Sequence, residues 1–171
     1  MLETPDEIAR LQRLLDESHG RATEHLRGII RDERALAAPH IVGLLTGMKV
    51  VSVATVTARG EPRISAMDGH FLHGTWTFST SRTAAKARHL AVRPAVSVAH
   101  VDGEAMAVFS HGRAVEIEGD DLAEVDRHWT AHYGSSPLSW GDVVMYRLDP
   151  AWMVGYAWHR DDLLAERGVE V

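Results

Sequence analysis

The stretch Thr77-Phe-Ser-Thr-Ser-Arg-Thr-Ala-Ala-Lys-Ala-Arg-His-Leu-Ala-Val-Arg-Pro94 leaves few folding options to the chain that carries it. Trp76 and Phe78 alternate with threonines, which is strand spacing. Ser79, Thr80, Ser81 and Thr83 then set four hydroxyls around a turn. Ser81 or Thr83 is placed to cap a helix. Ala84 to Ala91 is a good helix former, and Pro94 stops it. A strand therefore hands the chain to a short helix with Lys86 and Arg88 in its first turns. Such a helix start offers free backbone N–H groups and a positive dipole end. With hydroxyls and cations around it, it suits a phosphate monoester. The same residues also suit an ordinary capped surface helix with solvated cations.

Short strands and turns flank this stretch. Met48 to Thr57 is rich in valine and threonine, and Ala58-Arg-Gly-Glu-Pro62 reads as a hairpin turn. Arg63 to His73 is a second strand, and Gly74 turns the chain into Thr75 to Thr80. After the helix come strands at Ala95 to Val101 and Ala105 to Glu118, with Gly112 marking a bulge. Gly119-Asp-Asp121 caps a helix from Leu122 to Tyr133. Gly134 to Gly141 is a loop. Two last strands, Val143 to Leu148 and Trp152 to Ala157, are separated at Asp149-Pro150, and the charged tail from His159 frays. About seven antiparallel strands joined by turns predict a barrel. No GxGxxG follows a strand and strands do not alternate regularly with helices, which argues against a Rossmann fold.

Residues 1–38 read differently and are taken as a helical extension to a barrel domain at 39–171. Thr4 caps, Pro5 opens and Glu7 closes a capping box, and Ile8, Leu11, Leu14 and Leu15 follow at helical spacing. His19-Gly20 breaks that helix. A second runs from about Arg21 to Leu36, and Pro39 to Thr46 is a further short one ending at Gly47. Two amphipathic helices need a surface to cover, on the barrel or on a partner subunit.

The order of these pieces resembles the FMN-binding split-barrel family of pyridoxamine 5'-phosphate oxidase-like proteins. The pieces that carry the resemblance are Phe78, Ser79, Thr80, Lys86, Leu90, Pro94 and Val96-Ser-Val98, within roughly residues 40–158. The resemblance implies an α+β fold built on an antiparallel split β-barrel. It implies a homodimer with the cofactor between two barrels, and a flavin-dependent oxidoreductase acting on a small molecule. Arg63, Ile64, Ser65 and Ala66 match the segment that lines the flavin ring and phosphate. Ser79 and Thr80 match strand-end contacts to the flavin, and Lys86 matches the phosphate-binding lysine. The oxidase has an Arg before that Lys, where this chain has Ala85, and a basic residue where it has Asp68. Arg82 or Arg88 is the candidate replacement. Ala85-Lys-Ala-Arg-His-Leu90 also looks like relatives that bind a deazaflavin, coenzyme F-420. FMN is therefore the first cofactor choice, the deazaflavin the second and haem a minor third. Trp152 or Trp158 is a candidate to pack on the ring, and no catalytic acid or base is assigned.

Other chemistries find little support. His128 and His132 stand at i, i+4, a metal-ligand spacing, but no HExxH pattern follows, and they read as solvated, so no metal is assigned. His70 and His73 read as residues near a strand end, with His70 able to reach the pocket. A net charge of −6 gives no general attraction to nucleic acid or membrane. No apolar run approaches ~20 residues, so no membrane span is expected. The absence of cysteine fits a cytoplasmic location. There is no P-loop, Ser-His-Asp or paired-carboxylate signature.

Overall fold

A computed structural model describes residues 2–169. Six strands close into a ring in the order β1-β2-β3-β6-β5-β4. They are β1 (Met48–Val56), β2 (Pro62–Leu72), β3 (Thr75–Ser81), β4 (Ala95–Asp102), β5 (Met106–Glu116) and β6 (Val143–Ala157), and every neighbouring pair is antiparallel. Among the described residues six α-helices accompany them: α1 (Pro5–Gly20), α2 (Glu24–Ile29), α3 (Ala38–Leu44), α4 (Ala85–Val92), α5 (Gly119–Tyr133) and α6 (Arg160–Glu166). This is an antiparallel split barrel with a helical N-terminal extension.

The barrel interior follows from period-2 alternation. Val51, Val53 and Thr55 point inward from β1, Met67 and Phe71 from β2, and Trp76 and Phe78 from β3, all buried. α4 closes one end with Ala87 and Leu90. That end gathers the C-terminal ends of β1, β3 and β5 with the starts of β2, β4 and β6. α5 covers the outer face of β2, β3 and β6, packing Val125 and Trp129 on Leu72, Ile117 and Met145. α1 begins with the expected capping box and buries Leu11 and Leu15, and its Ser18 Oγ accepts from Met153 N at 3.0 Å on β6.

Several expectations need correction. The last two strands are one, because β6 runs through Asp149-Pro150. The predicted bulge absorbs the proline: the β5–β6 register shifts between His111 and Gly112. A Cβ on Gly112 would lie 2.0 Å from Asp149 O, so glycine alone fits there. The helix expected from Arg21 to Leu36 spans only Glu24–Ile29. Gly28 weakens it, and the chain after it docks on β6 through Leu36 N–H to Gly155 O and Ala157 N–H to Arg34 O, both 2.9 Å. Neither Ser81 nor Thr83 caps α4. The N-cap is Ala84, while Ser81 Oγ accepts from Thr83 N at 3.2 Å in the preceding turn. The tail does not fray from His159: α6 buries Leu163 and Leu164.

Candidate functional site

The barrel is split where β2 and β3 part. Their ladder runs from Leu72↔Thr75 to Gly69↔Phe78 and stops. Beyond it, Pro62–Asp68 pair with β1 alone and Ser79–Ser81 with β6 alone. An open seam with unpaired backbone groups therefore leads to the start of α4.

Alternation divides the predicted β2 segment between two faces. Arg63 and Ser65 share the inner phase of Met67, while Ile64, Ala66 and Asp68 point outward. α4 aims one face at the inner group. His89 Nδ1 lies 2.9 Å from Thr55 Oγ1, and Arg93 Nε donates to Val56 O at 3.2 Å. Thr55 is the register partner of Arg63. Lys86 stands one turn before His89 on that same face. Helix phase turns Lys86 toward the β1–β2 side of α4, the side on which β2 carries Arg63 and Ser65, with Thr80 and Ser79 on the strand that feeds α4. Lys86 is half-buried, and it makes no ion pair or side-chain hydrogen bond among the described residues. Arg63 is bound to the exposed Glu61 at 2.8 Å and donates to Pro62 O at 3.4 Å. A primary ammonium, a guanidinium and hydroxyls are a donor set that fits a phosphate monoester.

The other predicted residues sit elsewhere. Arg82 is tied to Glu116, with Asp142 at 3.5 Å from its Nε. Arg88 donates to Thr83 O at 2.5 Å. Both line a hollow with Tyr146 and Ala114 on the β5–β6 side of α4, away from Lys86. Trp158 follows the end of β6, at the barrel end opposite α4, with the Arg34 guanidinium 3.7 Å above its ring. Within one chain it does not meet Lys86. Trp152 stacks on His111, centroids 4.8 Å apart.

Asp68, the residue that departs from the expected basic type, faces outward and accepts from Tyr133 Oη at 2.8 Å. Burial, and then the Asp68 hydrogen bond, push the Tyr133 phenol up, so it stays protonated as the donor. The Trp140 ring stands edge-on to Tyr133 at 5.2 Å. His70 is no surface residue. It is 1% exposed beneath α5, with Nδ1 3.3 Å from His128 Nε2 and its own Nε2 unpartnered. Burial first, then His128 and His132, hold its pKa down at about 4. The sequence hides this cluster because α5 and β2 are some sixty positions apart. The outward phase of His70, shared with Asp68 and Leu72, was the available signal. Among the described residues, no group of three or more histidines and carboxylates is placed to hold a metal ion, and no helix is long and apolar enough to cross a membrane.

Residues 37–154, most of the chain, match the family described as Pyridoxamine 5'-phosphate oxidase. The chain belongs to this family. Among solved structures similar to this member of the oxidase family is a protein of unknown function from Agrobacterium tumefaciens, at 21% identity and TM-score 0.59, over 68% of this chain and 54% of that one. The chain thus spans about half of that relative. A coenzyme F-420 reductase is similar over 64% of this chain and 92% of its own, at 21% identity and TM-score 0.53. A haem storage protein from Vibrio cholerae is similar over 69% and 93%, at 24% identity and TM-score 0.55. At these identities the likeness is one of fold. No curated protein matches the sequence.

Proposed function

We propose that this protein is a flavin-dependent oxidoreductase that holds FMN at the β2–β3 seam. The observation that carries the reading is Lys86, half-buried and without an ion pair or side-chain hydrogen bond among the described residues, on the side of α4 turned to the β1–β2 hairpin that carries Arg63 and Ser65. A cation taken part-way out of water with no counter-charge awaits an anion. In this reading Lys86 and Arg63 hold the phosphate, Ser65, Ser79 and Thr80 donate to it or to the ring, and Ile64 and Ala66 give the seam an apolar lip. When bound, the cofactor supplies hydride transfer to or from a small organic substrate. The chain's own share is to fix the phosphate and keep water from the ring.

The function is completed by a second copy. Val50, Ile64 and Val101 on the outer face of β1, β2 and β4 are 59%, 74% and 56% exposed, an apolar face that a homodimer would cover. Within one chain Trp158 lies at the barrel end opposite α4, so in this reading a Trp158 that packs on the ring comes from the second copy. A cytoplasmic site of action fits a chain without cysteine. Oxidation of pyridoxamine phosphate itself is disfavoured, because Ala85 and Asp68 replace basic residues and Arg82 and Arg88 face away from Lys86.

The deazaflavin is the second reading. It is favoured by the Ala85–Leu90 pattern and by the fold shared with a coenzyme F-420 reductase. A non-catalytic haem carrier is the third, on the fold shared with a haem storage protein. The test is the absorption spectrum of the purified protein before and after titration with FMN, the deazaflavin and haemin. Saturable binding of FMN supports the first reading. A Soret band with no flavin binding overturns it.

A further inference from the structure

The hollow on the β5–β6 side of α4 is separate from the seam. Its volume is about 400 Å³, within the range of small-molecule sites. Arg88 lines it and Lys86 does not. The two residues stand roughly 200° apart around the helix. Ala91 on α4, Pro94 just after it and Ala114 on β5 give the hollow an apolar wall.

One buried polar side chain that lines the hollow lacks a partner. Tyr146 on β6 is 6% exposed, and its ring lies against Phe78, centroids 5.7 Å apart. The phenol feels the charges of Glu116 and Arg82, which line the hollow too, so its hydroxyl end is the one turned that way. Yet Tyr146 Oη makes no hydrogen bond among the described residues. Glu116 is already engaged: its carboxylate holds Arg82, whose Nε has Asp142 at 3.5 Å. Burial, and then the Glu116 charge, push the Tyr146 phenol up, so it stays protonated with an O–H to donate. A buried hydroxyl without a partner costs folding free energy that a phenylalanine in the same space would not. Arg88 is the second donor. It gives one N–H to Thr83 O at 2.5 Å and makes no ion pair among the described residues. A guanidinium has five N–H groups, so most of its donors remain free.

We propose that this hollow binds a small monocarboxylate on an apolar body. The carboxylate accepts from Tyr146 Oη and from the Arg88 guanidinium, and the body rests on Ala91, Pro94 and Ala114. Two unmatched donors beside an apolar wall call for an acceptor and argue against a cation. Glu116 neutralises Arg82, which leaves Arg88 as the unopposed cation. A single negative charge therefore suits the hollow better than a phosphate dianion. Neither donor belongs to the seam, so this site does not depend on which cofactor the seam holds.

The test is isothermal titration of the full chain with benzoate, benzamide and benzylamine, which share a body and differ in charge. Benzoate is expected to bind, benzamide about tenfold more weakly and benzylamine not measurably. Tyr146→Phe removes the hydroxyl and keeps the ring, and Arg88→Gln removes the charge from an exposed position. Each is expected to weaken benzoate about tenfold with an unchanged circular dichroism spectrum. Tyr146→Phe should also melt no lower than the parent, because the hydroxyl it deletes has no partner in the free protein. A hydroxyl that only supported the fold would lower the melting temperature and leave benzoate binding alone. If Tyr146→Phe does not fold, Arg88→Gln carries the test. Equal binding of the three probes, no heat with benzoate, or benzoate binding that either folded variant leaves untouched overturns the assignment. Benzoate binding that Lys86→Ala abolishes in place of these variants belongs to the seam and overturns it as well.

Discussion

The two sides of β2 use their polar side chains in opposite ways. On the inner side, toward α4, Arg63 is exposed and Lys86 is half-buried with no partner among the described residues. On the outer side, under α5, polar groups meet one another. His70 lies 3.3 Å from His128, Trp129 Nε1 donates to Thr77 Oγ1 at 3.4 Å, and Tyr133 donates to Asp68. Polar groups paired under cover help hold the fold, while an unpaired cation next to hydroxyls contributes mainly when an anion arrives. The contrast separates two kinds of damage. Changes under α5 should cost stability and spare ligand binding, and changes at the α4 corner should do the reverse.

The largest effect is expected from Trp129→Ala. Trp129 is 1% exposed and anchors α5 on Leu72, Ile117 and Met145. Its truncation should remove about 3–5 kcal/mol of stability, read by urea unfolding. Cofactor titration below the unfolding range should be close to that of the parent. A variant as stable as the parent would show that α5 is only loosely seated.

The next test uses acid. The folded state holds His70 near pKa 4, against a usual 6.5. Between those values the unfolded chain binds a proton that the folded chain refuses. The His70 contribution to stability is therefore complete above pH 6.5 and falls as pH drops toward 4. The loss is at most roughly 3 kcal/mol. His70→Asn cannot titrate there and should show a flatter stability–pH curve. Identical slopes for parent and variant would remove His70 from the account.

At the other region the effect moves from folding to binding. Lys86→Ala should weaken FMN or deazaflavin binding by about 1.5–3 kcal/mol, the range for a charged hydrogen bond. That is roughly ten- to a hundredfold in dissociation constant. The melting temperature should hold, since alanine is the better helix former. Riboflavin, without the phosphate, should bind parent and variant alike. If Lys86→Ala binds the phosphorylated cofactors as the parent does, the corner is not their site.

How far the sequence reveals this arrangement follows from the distance between interacting residues. Strand phases, the Gly112 bulge and the Thr4–Glu7 box are local, and all are readable. The continuity of β6 is not, because Pro150 ends strands by its own chemistry and is rescued by a glycine on another strand. α2 fails for a similar reason: residues 34–36 find backbone partners on β6 that helical spacing cannot show. At the site, Lys86 and the β2 segment are legible as a resemblance. The separation of Arg82 from Lys86 is not, because it depends on Glu116 and Asp142, whose proximity only the closed ring creates, whereas Arg88, two residues on from Lys86 in one helix, already faces another way by helical spacing. His70 and its α5 neighbours are invisible for the same reason.

The smallest effect is the most discriminating, because Tyr133 stands where the two regions meet. Its phenol reaches from the end of α5 to Asp68, on the strand that carries Arg63. Tyr133→Phe removes one hydrogen bond to a carboxylate that solvent can reach, so the stability cost should be about 0.5–1 kcal/mol. The effect on binding depends on which face Asp68 occupies. Asp68 points outward and Arg63 inward, so an unshielded Asp68 carboxylate should not approach a phosphate held by Arg63 and Lys86. FMN affinity should then stay within about twofold of the parent. A loss of tenfold or more would mean that Asp68 and the phosphate share a face, with Tyr133 masking the charge. In that case the division of β2 into a ligand side and a packing side would be wrong at the one residue that joins them.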